Sequence, residues 1–298
     1  MAVPYFRLDL DQSEIDAVVG VLKSGWLTTG PESAAFEREF AQAIGGSVQA
    51  ISVNSNTSGM HLALEAAGIG PGDEVIVPDL TFTATAEVVR YLGAEVVLVD
   101  VLPDTLCIDP REVERSITPR TKAILPVHFG GLGADMEELI AIAARHDLVI
   151  IEDAAHAFPA AKGGITIGAH GTFATVFSFY ANKTITTGEG GMIVTAHEAV
   201  AQRCRTMRLH GIDRDAFRRF QGDSAGWRYD IVAPGFKYNL PDMAAALGRR
   251  QLARALDMRS RREAIAGVYK RGLAGLPIEL PREAEEGGLH AWQLYPVR

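Results

Sequence analysis

The sequence contains little cysteine and no long apolar run. Only Cys107 and Cys204 occur among its 298 residues, and neither belongs to a Cys-x-x-Cys arrangement, so neither a zinc site nor a disulfide framework is predicted. No apolar stretch reaches the length that a membrane-spanning helix needs, and residues 1–9 lack the apolar centre of a signal peptide. We therefore expect a cytoplasmic protein with no membrane partner and no metal site.

The sequence also lacks an excess of positive charge and a dinucleotide-binding fingerprint. Its formal net charge is −8, which argues against a nucleic-acid partner because such proteins need a basic face. A Gly-x-Gly pattern begins at Gly131, but Met136 stands where the third glycine belongs. The pattern also does not follow the first predicted strand, so a nicotinamide-dependent enzyme is not favoured.

What the sequence does contain is an alternation of short apolar runs and helical segments. Strands are predicted over residues 50–53, 74–78, 95–100, 123–127, 148–152, 175–179 and 191–195. Helical segments lie between and after them, over 58–67, 83–91, 110–116, 135–146 and 197–209. Because several of the strands are apolar throughout, we expect an α/β fold with a mostly parallel sheet sandwiched by helices.

The flanking segments have a different character. Amphipathic helices are predicted over 13–23 and 31–43 before the sheet, and over 241–252 and 256–273 after it. Residues 205–230 are polar and rich in glycine and aromatic residues, which predicts a long excursion between elements. Residues 289–298 predict the start of a strand, which either pairs with an earlier edge or belongs to a longer C-terminal portion.

Two polar motifs follow predicted strands. Glu-Asp-Ala-Ala-His occupies 152–156, and Ser-Phe-Tyr-Ala-Asn-Lys occupies 178–183 ahead of a glycine-rich turn at 188–191. Open α/β sheets bind ligands beyond the carboxyl ends of their strands. An acid and a lysine at that edge suit pyridoxal 5'-phosphate (PLP), since the lysine forms a Schiff base with the aldehyde and the acid keeps the pyridine nitrogen protonated. Asp153 could otherwise be a helix N-cap, and Lys183 a surface lysine.

Three further features fall at the same predicted edge. Residues 54–60, Asn-Ser-Asn-Thr-Ser-Gly-Met, open a helix, and small hydroxyl residues at a helix N-terminus suit either a phosphate or a plain N-cap. Phe82 could stack on a planar ring or belong to the core. His128 could contact a ligand or be a buried histidine with satisfied hydrogen bonds.

Taken in order, these motifs resemble the PLP-dependent nucleotide-sugar aminotransferases of fold type I, the DegT/StrS-like family. The likeness runs from residue 24 to residue 298, through 72–76, 126–128, 152–156, 178–183, 188–191 and 235–239. Arg-Leu-His-Gly at 208–211, Lys-Tyr-Asn at 237–239 and His-Ala-Trp at 290–292 are most similar to the UDP-4-amino-4-deoxy-L-arabinose aminotransferases. The resemblance implies a PLP-binding large domain over 1–250. It also implies a linking helix and the start of an incomplete small domain over 251–298.

The resemblance implies a role for each site residue. Lys183 resembles the Schiff-base lysine, Asp153 the partner of the pyridine nitrogen, and His156 the residue beside the ring hydroxyl. The implied phosphate ligands are Thr57, Ser58 and Ser178, and the implied stacking aromatic is Phe82. By the same resemblance, Lys237 or Asn239 contacts the phosphate bound in the neighbouring subunit, and the protein is a homodimer.

The implied reaction moves an amino group from an amino acid, by resemblance glutamate, to a nucleotide-linked keto sugar in polysaccharide or lipopolysaccharide biosynthesis. A related dehydratase branch carries histidine in place of the lysine, so Lys183 argues against it. The chain departs from the family's usual pattern at His156, which is often glutamine, and at residues 158–162. The alternative is a shortened, non-catalytic relative that binds PLP or a partner protein through the same residues.

Overall fold

A mixed β-sheet forms the centre of the computed structural model, which describes residues 4, 6–45, 47–213 and 229–298. The strands of these residues are, in chain order, β1 (Gln49–Val53), β2 (Glu74–Pro78), β3 (Glu95–Val99), β4 (Thr121–Ile124), β5 (Val149–Ala154), β6 (Ala161–Lys162), β7 (Ile165–Thr166), β8 (Ala174–Ser178) and β9 (Gly191–Thr195). The short strands β6 and β7 pair with each other, and the rest form one sheet in the order β1-β9-β8-β5-β4-β2-β3. Within the seven-stranded sheet, strand β9 is antiparallel to both of its neighbours, and all other neighbouring strands are parallel.

Nine α-helices lie among the described residues. They are α1 (Gln12–Ser24), α2 (Pro31–Ile44), α3 (Asn56–Ala66), α4 (Ala84–Tyr91), α5 (Pro110–Arg115), α6 (Met136–His146), α7 (Glu198–Met207), α8 (Asp242–Ala253) and α9 (Ala255–Leu273). A single 3₁₀ turn in the described chain covers Phe129–Gly131. The predicted α/β fold with a mostly parallel sheet is confirmed.

Both faces of the sheet are covered, as the apolar strands predict. Ile193 of β9 packs in one cluster with Met60 of α3. Its neighbour Met192 packs in a second cluster with Phe36 and Phe40 of α2. Because successive strand residues point to opposite faces, these two clusters lie on opposite sides of the sheet. A third cluster fills the space between α6 and strands β2, β4 and β5.

Helices α1 and α2 are joined to the body of the protein through α8. Asp242, the first residue of α8, is 1 % exposed, and its Oδ1 accepts from the N–H groups of Gly30 at 2.7 Å and Ser33 at 3.0 Å. These groups lie at the N-terminus of α2, where unpaired N–H groups and the helix dipole favour a carboxylate. A Cβ on Gly30 would lie 2.2 Å from Nε1 of Trp26, so this close approach requires glycine.

The strand expected over residues 289–298 is wrong. Leu289 forms one isolated bridge with Ala161, and the chain then follows the 3₁₀ turn. The N–H of Ala291 donates to the carbonyl of Gly131 at 3.0 Å, and those of Gln293 and Leu294 donate to the carbonyl of Gly130. A continuous ladder cannot form because this segment bends to meet a turn instead of a strand edge.

The excursion expected over 205–230 begins later than predicted. Helix α7 continues to Met207, and Leu209 and Ile212 form isolated bridges with Lys237 and Ile231. Residues 214–228 lie outside the described residues. Among the helices that are described, none combines the length and the apolar character needed to cross a bilayer.

Candidate active site

Asp153 stands at the carboxyl end of β5, where the polar groups of three elements meet. It is 4 % exposed. Its Oδ1 accepts from the backbone N–H of Ala155 at 3.0 Å and from Nδ2 of Asn56 at 3.3 Å. Its Oδ2 accepts from the hydroxyl of Thr85 at 2.9 Å. Burial raises the pKa of Asp153 above its usual value, while these donors and the charge of Lys183 oppose that rise. The group is a buried carboxylate held in a fixed orientation.

Lys183 lies in the loop between β8 and β9, as predicted. Its backbone N–H donates to the carbonyl of Tyr180 at 2.9 Å, which closes a turn just past the end of β8. Burial lowers the pKa of Lys183 to about 8, opposed by the charge of Asp153 and assisted by that of Arg262. A lysine with this pKa is partly neutral near pH 7 to 8, which is what a nucleophilic amine requires. Lys183 is half-buried, which favours the predicted role over that of an ordinary surface lysine, and the role stays a prediction.

The residues around Lys183 leave two buried polar atoms without protein partners. Among the described residues, Oδ1 of Asn182 and Oγ1 of Thr184 are buried and make no hydrogen bond. Buried polar atoms normally have partners, so each such atom calls for an explanation. A polar ligand beside Lys183 would supply one. These orphaned atoms, the Lys183 amine and the buried acid Asp153, whose charge interacts with that of Lys183, are together consistent with a PLP site.

A buried network surrounds Glu152, the residue before Asp153. Glu152 is fully buried, and its oxygens meet Nε2 of His128 at 2.9 Å and Nδ1 of His170 at 3.2 Å. The hydroxyls of Thr172 and Thr175 donate to it at 2.5 and 2.8 Å. Burial alone would raise the pKa of Glu152, but the histidine hydrogen bonds outweigh it and lower the pKa well below its usual range. The network holds the end of β5 in place.

His128 therefore has a structural role. Its Nδ1 accepts from the backbone N–H of Ala134 at 3.1 Å, so the proton of the neutral ring is on Nε2 and is donated to Glu152. Of the two possibilities open from the sequence, the buried histidine with satisfied hydrogen bonds is confirmed. The sequence did not point to His170 or to the two threonines, since their convergence depends on the pairing of β5 with β8.

His156 follows Asp153 by three residues and lies next to the 3₁₀ turn. Its Nδ1 accepts from the N–H of Gly130 at 3.3 Å. Burial and the charge of Lys183 lower the pKa of His156 to about 3, so the ring is neutral. The glycines of this turn have a packing role, because a Cβ on Gly131 would lie 2.9 Å from the Cβ of Ala291 and 3.0 Å from the carbonyl oxygen of His156.

The predicted phosphate ligands lie at the start of α3 and the end of β8. Helix α3 begins at Asn56, two residues before the predicted start, and its N-cap is Ser55. Ser58 is buried, and its hydroxyl donates to Oδ1 of Asn54 at 2.7 Å and to the Ser55 carbonyl at 2.8 Å. The hydroxyl of Ser58 thus completes the helix cap, and Thr57 lies half-buried beside it. That Thr57 and Ser58 bind a phosphate stays a prediction, which the N–H groups of the first helical turn favour.

The glycine-rich turn and Ser178 complete this region. A Cβ on Gly191 would lie 2.6 Å from the carbonyl carbon of Ser55. Strand β9 can therefore pass the N-terminus of α3 only because this residue is glycine. Ser178 is half-buried at the end of β8, and its Oγ accepts from the N–H of Tyr180 at 3.3 Å. The predicted phosphate region is thus assembled from the ends of two elements.

Phe82 projects from the loop between β2 and α4. Its side chain is 74 % exposed, so it contributes little to the core. The core alternative for Phe82 is wrong. An exposed aromatic ring past the carboxyl end of a strand has a free face that can stack on a planar ligand.

Segment 235–239 lies beside the end of β1. Asn239 forms a bridge with Val53, and its amide donates to the hydroxyl of Thr29 at 2.7 Å. Lys237 is exposed, and its Nζ donates to Oδ1 of Asn239 at 2.6 Å. Both polar atoms of the Asn239 side chain are therefore bonded within the chain, whereas the exposed ammonium group of Lys237 uses one of its three N–H donors for Asn239.

Comparison with known proteins agrees with this geometry. Residues 8–298 match the sequence profile of the DegT/DnrJ/EryC1/StrS aminotransferase family. SpsC, a spore coat polysaccharide biosynthesis protein of Bacillus subtilis strain 168, is 45 % identical over 99 % of this chain and 75 % of its own length.

Two solved structures share the fold. The PLP form of Spr1654 from Streptococcus pneumoniae is 33 % identical, with a TM-score of 0.91 over 99 % of this chain and 78 % of that one. The sugar aminotransferase CalS13 from Micromonospora echinospora is 33 % identical, with a TM-score of 0.88 over 99 % of this chain and 80 % of that one. The predicted fold type and PLP-dependent aminotransferase class are confirmed, and the chain belongs to the DegT/DnrJ/EryC1/StrS aminotransferase family.

Proposed function

We propose that this chain uses PLP to transfer an amino group from L-glutamate to a nucleotide-linked keto sugar, with Lys183 as the reactive amine. One observation carries the proposal: Lys183 is a largely buried amine whose pKa is lowered to about 8, and it lies within electrostatic reach of the buried acid Asp153. Perturbed pairs of this kind are characteristic of catalytic sites.

Each group of the pair has a distinct task. The neutral Nζ of Lys183 can take a proton from the carbon that bears the donor's amine, and later return it. Asp153 can keep a proton on a ring nitrogen held against its carboxylate, because the groups around it hold the carboxylate in place. When bound, PLP supplies an aldehyde for the amine and a cationic ring that accepts the electron pair.

The other predicted residues are proposed to bind the cofactor. Phe82 offers a ring face, and His156 offers a neutral Nε2–H group. The hydroxyl groups and N–H groups at the start of α3 and the end of β8 suit a phosphate, with Thr57, Ser58 and Ser178 as the predicted ligands. Because the hydroxyl of Ser58 already bonds within the helix cap, we infer that Ser58 mainly holds the first turn of α3 in shape.

A homodimer is proposed in which segment 235–239 reaches the neighbouring subunit's phosphate. Between the two candidates, we favour Lys237 as the phosphate ligand because it is exposed and keeps N–H donors beyond its bond to Asn239, whereas the Asn239 amide already donates to Thr29. The division into a large domain over 1–250 and a linking region over 251–298 stays a prediction. So do the cytoplasmic location and the likeness to the UDP-4-amino-4-deoxy-L-arabinose aminotransferases.

The donor half of the reaction gives the most direct test of this function. The purified chain is loaded with PLP and mixed with L-glutamate, and both the aldehyde absorbance and the 2-oxoglutarate released are measured. We expect one 2-oxoglutarate per loaded site, with matching loss of the aldehyde absorbance. A stable absorbance with every amino donor would instead support the non-catalytic alternative. A UDP-linked keto sugar should then restore the aldehyde form.

A further inference from the structure

A large open cleft adjoins the loop that carries Lys183. Its volume is about 700 Å³, and Lys183 lies in its wall. The cleft is bounded by helix α9, residues 6–9, the loop over 181–186 and residues 293–297. Its size suits an amino-acid substrate beside a cofactor.

Arg262 of α9 lies in this cleft without an acidic partner. Among the described residues, no carboxylate lies within 4.0 Å of its guanidinium group, whereas the neighbouring Arg261 pairs with Asp257 at 2.7 Å and Asp9 at 2.8 Å. The contacts of Arg262 are two long hydrogen bonds, to the carbonyl of Trp292 at 3.3 Å and to that of Asn182 at 3.4 Å. Burial lowers the pKa of Arg262, in keeping with the absence of an acidic partner in the described part of the chain.

Arg262 is a half-buried guanidinium whose hydrogen bonds go only to carbonyl groups, so no carboxylate of the described chain balances its charge. Removing a charge from water is costly unless an opposite charge replaces the lost hydration. Arginine has five N–H donors in a planar fork, and two weak bonds leave most of them available. The fork matches a carboxylate in particular.

The carbonyl of Asn182 does not need Arg262. Nε2 of Gln293 donates to the same oxygen at 3.0 Å, which is the shorter contact. The guanidinium group can therefore turn toward a ligand in the cleft without leaving that carbonyl unpaired.

The position of Arg262 fits the donor substrate. Arg262 contacts the residue before Lys183, and its charge is close enough to lower the pKa of the lysine. The carbon from which Lys183 takes a proton carries the donor's carboxylate, so that carboxylate must lie within a few bonds of the lysine. The diphosphate of a nucleotide sugar is separated from its reacting carbon by part of the sugar ring.

We propose that Arg262 binds the carboxylate of the amino-acid donor in the cleft beside Lys183. The assignment rests on the proposed function for the identity of the donor, whereas the site itself rests on the unpaired guanidinium and the cleft.

The test is a calorimetric titration of the PLP-loaded chain with glutarate, a dicarboxylate of the length of glutamate that has no amine to react. We expect Arg262→Gln to raise the dissociation constant at least about tenfold, since one charge-assisted bond contributes about 1.5 kcal/mol or more. The dissociation constant of Arg262→Lys for glutarate should lie between those of the wild type and Arg262→Gln. Arg271→Gln is the matched control, because Arg271 is exposed on the same helix and does not line the cleft, and its dissociation constant should stay within about twofold of the wild type. Equal binding by Arg262→Gln and the wild type would overturn the proposal.

A second measurement decides the matter even where Arg262→Gln does not fold. Wild-type protein should bind glutarate at least about tenfold more tightly than the neutral glutaramide, and equal affinity would contradict a guanidinium site. If pyrophosphate rather than glutarate depends on Arg262, the group serves the nucleotide and the carboxylate assignment is wrong. These titrations do not require turnover, so glutarate binding that depends on Arg262 supports the site even if Lys183 proves unreactive.

Discussion

The backbone N–H of Gly130 donates to Nδ1 of His156 at 3.3 Å, and this contact fixes the position of the imidazole proton. With Nδ1 accepting, a neutral ring carries its hydrogen on Nε2. Burial and the charge of Lys183 lower the pKa of His156 to about 3, so the ring stays neutral under ordinary conditions. His156 is thus a fixed neutral donor, which a glutamine amide can imitate.

The pKa of His156 makes a prediction about acid stability. Its folded-state pKa of about 3 lies below the ordinary value of 6.5, so folding favours the neutral ring. Stability from this group is complete above pH 6.5 and is lost as the pH falls toward 3. Urea unfolding measures the free energy of unfolding at pH 7 and at pH 5. The decrease between the two should be smaller by about 1 to 2 kcal/mol in His156→Gln than in the wild type. The exposed His197, changed to glutamine, is the control, and equal losses in both variants would contradict the prediction.

Phe82 should matter for the cofactor and not for the fold. Because its side chain is 74 % exposed, Phe82→Ala should change the free energy of unfolding of the cofactor-free protein by less than about 0.5 kcal/mol. Loss of ring stacking, about 0.5 to 1.5 kcal/mol, should weaken PLP binding about 2- to 12-fold. An absorbance titration measures this, with Phe82→Tyr as the variant that keeps the ring. Unchanged affinity in Phe82→Ala would show that the ring does not contact the cofactor.

Glu152 should be a large contributor to stability. Four side chains donate to or contact the oxygens of Glu152. Glu152→Gln replaces one of these acceptor oxygens by an N–H donor, so the free energy of unfolding measured in urea should fall by at least about 2 kcal/mol. Since the folded-state pKa lies below the usual 4.5, the stability it provides is present above that pH and falls as the pH drops below it. The exposed Glu189, changed to glutamine, should cost less than about 0.5 kcal/mol. A loss of the same size in both variants would contradict this role.

Asp153 should be required for the rate. Asp153→Asn keeps the size of the side chain but cannot hold a proton on the ring nitrogen, so the release of 2-oxoglutarate from L-glutamate should fall about 10²- to 10⁴-fold. Thr85→Val removes one hydrogen bond to Asp153 and leaves its charge, so the rate should fall far less. Circular dichroism checks that both variants fold. An Asp153→Asn rate within tenfold of the wild type would rule out the assigned role.

Most of the sheet could be predicted because several of its strands are apolar throughout. Strands β2 and β9 have their predicted bounds. Strand β4 begins two residues before its predicted start and ends before Pro126, which has no N–H to donate to a ladder. The final segment could not be predicted in the same way. Its apolar residues look like a strand, but Trp292 has a φ of 49° and the segment binds the turn at Gly130.

In the site, too, residues marked by their local sequence could be predicted, and residues brought in by contacts between distant elements could not. The sequence pointed to Asp153 and Lys183 because each follows an apolar strand. It did not point to Thr85, which lies in the first turn of α4, or to Arg262, whose helix has an ordinary amphipathic pattern. Both roles depend on which elements are neighbours in space, and a single sequence does not state that.

Reductive trapping tests the central claim most directly. The PLP-loaded chain is treated with borohydride, digested and analysed by mass spectrometry, with Lys183→Arg as the matched control. Because burial lowers the pKa of Lys183 to about 8, its amine is the one expected to react, and labelling should increase as the pH rises through 8. The account predicts a pyridoxyl group on residue 183 and none in the variant. A label on another lysine, such as Lys162 or Lys237, or the absence of any label, would contradict it.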